Sequence, residues 1–205
     1  MANKSTKSKY ASKKTRHHKA PYKPLPVTSV PCLPDPEAGL LERAEAVNRA
    51  RAECDAIRRS MSRNVTNEHY ERALQVYWLC FSLLYPPEFW AGFGDLLSGK
   101  SNQADLYIEF LEADPFCFRT GYVKAELLLG LKRMTLSQKQ QERLRDVILM
   151  VIEKGDRREF RSYCRLARKI QTPEWLAELE ERLLSQEIGV ARRAGWVLAA
   201  CRQKL

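Results

Sequence analysis

No run in the 205 residues is long and apolar enough to suggest a membrane span. The longest charge-free stretch near the middle, Ala73 to Pro87, is interrupted by Gln75 and Ser82. Histidine is nearly missing: His17 and His18 lie in a polar tail and His69 at a helix start. The six cysteines, at 32, 54, 80, 117, 164 and 201, form no closely spaced pair, so the convergent donors that zinc needs are not there. With no basic-apolar-small leader ahead of them, they read as reduced thiols of a soluble, cytoplasmic chain. Nor does any segment alternate β-branched with polar residues, which excludes a sheet. Acid–base pairs are lacking too, since Glu178 with Arg182 and Glu42 with Glu45 have the spacing of exposed helix faces.

What the sequence does have is charge, unevenly placed. The net charge is +10. Lys4, Lys7, Lys9, Lys13, Lys14, Arg16, Lys19 and Lys23 face no acid before residue 25. Residues 35–131 are net acidic, residues 132–170 carry twelve bases against five acids, and the remainder is balanced. The first stretch is rich in Ser, Thr and Ala and lacks a period, so disorder is expected. Six prolines between Pro21 and Pro36 continue it as an extended connector. The division expected is a basic, then Pro-rich tail over 1–34 and a helical domain over 35–205.

The body reads as helices throughout. Asp35 with Pro36 offers a cap and first-turn proline for a long helix along Leu40, Ala44, Val47, Ala50, Cys54, Ile57 and Met61. Thr66 and Asn67 offer the next cap. Pro86 and Pro87 end that helix and can start a short one to Leu97, Ser101 opens another, and Asp114 and Pro115 close it. Further helices run from Thr120, from a capping box at Ser137 and Gln140, from Asp156, from Thr172 and Pro173, and from about Glu187.

Thr66, Ser101, Ser137 and Thr172 fall at intervals of about 35 residues, each opening a two-helix unit, which is the mark of a hairpin array. Unit length and helix pairing over 66–204 resemble HEAT-like α-solenoid repeats. The segment from Thr172-Pro173-Glu174-Trp175-Leu176 through Gly189-Val190-Ala191-Arg192-Arg193-Ala194 is the most similar. The resemblance implies about four stacked antiparallel hairpins, after a long helix, forming a scaffold for a protein or nucleic-acid partner. The tetratricopeptide pattern is missing.

Gly94-Asp95-Leu96-Leu97-Ser98-Gly99-Lys100-Ser101 has the P-loop spacing. Two prolines and no apolar strand precede it, so Gly99 is expected to end one helix and Ser101 to cap the next. The aromatics Tyr77, Trp78, Phe81, Tyr85, Phe89, Trp90 and Phe93 read as core between consecutive helices. Cys54, Cys80, Cys164 and Cys201 read as packing residues of helices, and Cys117, in a loop, as structural too.

The basic features carry the functional reading. On the helix opened by Asp156, Phe160, Tyr163, Cys164, Ala167 and Ile170 share one side. Arg158, Arg161, Arg165 and Arg168 share nearly the opposite one. Arg157 and Lys169 add to them, and Arg192 and Arg193 recur 35 residues after Arg157 and Arg158. Only Glu159 accompanies six bases from Arg157 to Lys169. Such a stripe suits phosphate, through counterion release, and a basic arm adds contacts without reading sequence. The expectation is a non-enzymatic adaptor that binds a protein and contacts RNA or DNA phosphates, with no cofactor, metal or membrane. It would be cytoplasmic, or associated with a nucleoid or nucleus, where Lys13-Lys14-Thr15-Arg16 would serve as an import signal. The alternative is a pure protein scaffold whose tail serves targeting or solubility. An enzyme, either a P-loop nucleotide hydrolase or a base-excision enzyme like the HEAT-like DNA glycosylases, has no further motif residues to support it.

Overall fold

The computed structural model describes residues 33–35, 37–60 and 68–202, and ten helices make up its regular structure. The tail lysines and Arg16, and the expected cap at Thr66 and Asn67, lie outside these residues. No strand occurs among the described residues. The chain runs α1 (Leu40–Ser60), α2 (Glu68–Leu83), α3 (Pro87–Ala91), α4 (Phe93–Ser98) and α5 (Ala104–Ala113). It continues as α6 (Thr120–Arg133), α7 (Gln138–Lys154), α8 (Phe160–Ile170), α9 (Pro173–Leu183) and α10 (Ile188–Arg202).

Local signals account for several boundaries. Ser137 accepts from the Gln140 amide while the Gln140 side chain accepts from the Ser137 amide, closing a capping box on α7. Thr172 accepts from the Trp175 amide, and Pro173 fills the first turn of α9, where no amide partner is needed. Asp114, at φ 52°, ends α5, and Gly99, at φ 77°, ends α4.

Three expected starts are displaced. Asp35 does not open α1: its carboxylate accepts from the Glu37 amide and its carbonyl from Ala38, making a turn five residues ahead of the helix. Ser101 accepts from the Gln103 amide in the loop, and Gln103 holds the cap position of α5. Asp156 is drawn away to arginines of α10, so α8 begins only at Phe160 behind Glu159. The helix expected up to Leu97 is two, divided at Gly92.

Packing follows the apolar stripes. Helices α1 and α2 pair, α5 lies on α7, and α9 pairs with α10. Helices α4, α6, α8 and α10 pack side by side in chain order, each against the next. One continuous core joins them, from Val47 and Cys80 through Tyr107, Leu127 and Ile148 to Tyr163, Leu179 and Val197. Gly130 lets α6 approach α4 closely: a Cβ there would stand 2.5 Å from Leu96 Cγ and 2.8 Å from its carbonyl oxygen. Tyr77, Tyr85 and Phe89 are buried as expected, whereas Trp78 and Trp90 keep over two-fifths of their surface exposed.

Candidate nucleic-acid interface

The basic residues divide into two groups, and the partners that hold them decide the division. Arg157 is structural. Its guanidinium forks onto both carboxylate oxygens of Asp114, which also receives Lys124 at 2.6 Å and Lys154 at 3.1 Å. The side chains of Asp114 and Lys124 are both 1% exposed. Burial alone would raise the Asp114 pKa, but hydrogen bonds from Arg157 and Lys124 outweigh it and hold the carboxyl below its usual value. Burial pulls Lys124 down despite the same bond. This cluster ties the end of α5 to α6, to the end of α7 and to the turn before α8.

Arg193 is structural too. Its Nε donates to the Ile152 carbonyl at 2.6 Å and its Nη1 meets Asp156 at 3.3 Å, with the side chain 7% exposed. Arg192 stays half-exposed but also pairs with Asp156. Lys169 donates to the carbonyls of Lys132 and Met134, where α6 ends. The expectation of an open stripe is therefore corrected for Arg157 and Arg193, which are withdrawn from the surface by their partners, while Lys169 and Arg192 stay exposed but are engaged by carbonyl and carboxylate groups.

The remaining arginines behave as the helical phase dictates. Phe160, Tyr163, Cys164, Ala167 and Ile170 are buried, together with Leu166, which presses α8 onto its neighbours. Arg158, Arg161 and Arg165 are exposed and Arg168 is half-buried. Among the described residues no carboxylate pairs with Arg158, Arg161 or Arg165. Between α8 and α10 these side chains border a groove of about 720 Å³, lined also by Arg157, Arg168, Phe160, Cys164, Trp196, Ala199 and Ala200. Not one acidic side chain lines it. Several guanidinium groups around a wet, acid-free groove leave phosphate attraction unsatisfied, and planar donors suit bidentate contacts to it.

Aromatic rings are interleaved with these cations, which the sequence reading missed. Arg158 lies 4.1 Å from the ring centroid of Tyr122, Arg192 lies 5.2 Å from that of Trp196, and Arg51 lies 4.0 Å from that of Phe118. Tyr122 and Trp196 are each about half exposed. A signal existed: Tyr122 falls outside the apolar phase of Val123, Leu127, Leu128 and Leu131. Trp196 falls outside that of Val190, Ala194, Val197 and Cys201.

Other candidate chemistry lacks the geometry it would need. In the P-loop look-alike, Gly94 to Ser98 belong to α4, and the amides of Leu96, Gly99 and Lys100 bond to Gly92, Leu96 and Asp95 carbonyls rather than pointing into a phosphate cradle. Burial pushes the thiols of Cys117, Cys164 and Cys201 up to about 11, away from nucleophilic reactivity. Among the described residues no cluster of His, Cys, Asp or Glu could hold a metal ion, and no helix is long and apolar enough to cross a membrane.

No protein-family model matches the chain, and neither a curated protein nor a solved structure shows significant similarity to it.

Proposed function

We propose that the protein is a non-enzymatic adaptor that holds RNA or DNA by its phosphates along the α8–α10 groove while another surface docks a protein. The observation that carries this reading is the exposure of Arg158, Arg161 and Arg165 around a groove without acids. The basic tail, from Lys4 to Lys23, adds electrostatic contacts that do not read sequence. The architecture is read as a HEAT-like stack. The succession of α4, α6, α8 and α10 supports it, as do the hairpin-opening helices that begin at residues 104, 138 and 173. For the protein partner, Leu184 and Ile188 in the α9–α10 turn offer an apolar contact, being 85% and 83% exposed. The same pair favours the second reading, a pure protein scaffold whose tail serves targeting or solubility.

Anisotropy of a labelled oligonucleotide separates the two. Full-length protein, a chain starting at Asp35, and a full-length variant with Arg158, Arg161 and Arg165 changed to Glu are titrated over a range of salt. The adaptor reading expects binding that falls steeply with salt, weakens without the tail, and is lost in the triple variant. No binding by the full chain at moderate salt leaves the scaffold reading.

A further inference from the structure

One arginine of the groove, Arg158, also pairs with a ring. It belongs to a set of cation–ring pairs spread over the neighbouring helices α6, α8 and α10. At one end, Phe118 stands between Arg51 of α1 and its own neighbour Arg119, at 4.0 and 5.5 Å. One turn on, in α6, Tyr122 meets Arg158 from the turn before α8. Arg158 in turn lines the same groove as Trp196 of α10, which Arg192 approaches from the preceding turn. Because α6, α8 and α10 are consecutive neighbours, these pairs follow one another across the molecule.

A purely electrostatic surface for duplex backbone has no use for exposed rings. Phe118, Tyr122 and Trp196 are 38%, 51% and 48% exposed, and none lies at the centre of the core. Exposed rings are informative where they are grouped with one kind of charge rather than scattered, and here each has a guanidinium beside it. The bases of a duplex are stacked on one another and cannot reach such rings, whereas an unpaired base offers a flat face of matching size. Arg158, Arg161 and Arg165, which line the groove together with Trp196, then offer partners for the connecting phosphates. Alternation of stacking platforms with guanidinium groups is the physical arrangement that holds a single strand irrespective of sequence.

We propose that this set of pairs is a track for single-stranded nucleic acid, in which Tyr122 and Trp196 stack bases and Arg158, Arg161 and Arg165 neutralise phosphates. The proposal rests on the reading of the groove as a nucleic-acid interface and narrows its ligand to the unpaired form. The positions of the pairs give it a direction, from the loop before α6 across α8 to α10. Sequence preference is expected to be weak, since every base has a face to stack.

The test compares a single-stranded oligonucleotide with the duplex of the same sequence, using full-length protein and the variants Tyr122→Leu, Trp196→Leu and Arg161→Glu/Arg165→Glu. Thermal unfolding of each variant checks that the fold is kept, and leucine preserves apolar bulk on both helices. The expected result is tighter binding of the single strand, with each leucine variant weakening it by about tenfold, the effect of losing one stacked base. The dependence on salt should be unchanged by the leucine substitutions and shallower in the arginine variant. Binding of the single strand should also quench tryptophan fluorescence, less so in Trp196→Leu. Equal affinity for duplex and single strand, with leucine variants indistinguishable from the parent, overturns the track but leaves a phosphate-binding groove. Absence of binding to either form overturns both.

Discussion

Lys124 donates to Asp114 across 2.6 Å with both side chains almost wholly withdrawn from water, so the buried ammonium is tolerated because the carboxylate faces it. Asp114 occupies a left-handed position at the end of α5 and gathers two further cations, Lys154 and Arg157, from elements that follow much later in the chain. It is the point at which the helices behind the groove are fastened. Asp114→Asn should lower stability by about 3–5 kcal/mol, because it strands buried cations rather than merely deleting a bond. Urea denaturation checks this. Adding Lys124→Met should recover part of the loss, since an apolar chain of similar length removes one stranded charge.

The same residue sets a response to acid. Its folded-state pKa is depressed below the ordinary aspartate value, so its contribution is complete above the unfolded value of about 3.9 and disappears as pH falls through the lower folded value. The urea midpoint of the parent should drop over that acidic window more steeply than that of Asp114→Asn, which has no carboxylate to protonate. Parallel curves for the two proteins would contradict the assignment.

Thiol chemistry offers a separate check on the core. The five described cysteines, 54, 80, 117, 164 and 201, are all buried. With the thiols of Cys117, Cys164 and Cys201 pushed up to about 11, only about one molecule in a thousand carries each thiolate at pH 8. In a Cys32→Ser chain, labelling with a disulfide reagent should be slow in buffer and fast in denaturing urea. Rapid native labelling would mean that the helices open far more readily than their packing implies.

Two glycines in neighbouring helices should answer differently to the same substitution. A Cβ on Gly130 collides with Leu96, so Gly130→Ala should cost about 1–3 kcal/mol as α4 and α6 are forced apart. A Cβ on Gly94 meets nothing within 4 Å. Gly94→Ala should therefore leave stability unchanged or raise it by up to about 1 kcal/mol, as alanine does inside a helix. Thermal melts of the two variants decide the matter, and they also treat Gly94 as the helical residue it is rather than as the first glycine of a phosphate loop.

Much of the helix order could be read from the chain because its signals are local. A capping box at Ser137, a Thr172-Pro173 start and an Asp114-Pro115 stop each act within four residues. Asp35, Ser101 and Asp156 misled for a shared reason: a short polar side chain can equally close a turn or turn outward to a distant cation, and nothing nearby distinguishes these. At the candidate site the apolar phase of α8 correctly placed Arg158, Arg161 and Arg165 on the water side. It could not tell that Arg157 would find Asp114, 43 residues earlier, or that Arg193 would find the Ile152 carbonyl. Tyr122 and Trp196 were legible in principle as aromatics on polar faces, but only helix neighbourhood shows that they line up.

Adjacent arginines make the sharpest separation between structure and availability. Arg193 is buried, holds the Ile152 carbonyl and reaches Asp156, so Arg193→Ala removes a charge-assisted bond and leaves a buried carbonyl without its partner. A loss of about 1.5–3 kcal/mol is expected. Arg192 makes its bond to the same aspartate from a half-exposed position, where solvent screens the ion pair, so Arg192→Ala should barely move the melting curve. It does, however, uncover Trp196. If the track binds single strands, Arg192→Ala should weaken them while Arg193→Gln, retaining a donor inside, should not. Measuring both melting and binding on the two variants therefore tells apart an arginine that builds the α10 contact from one that faces a ligand.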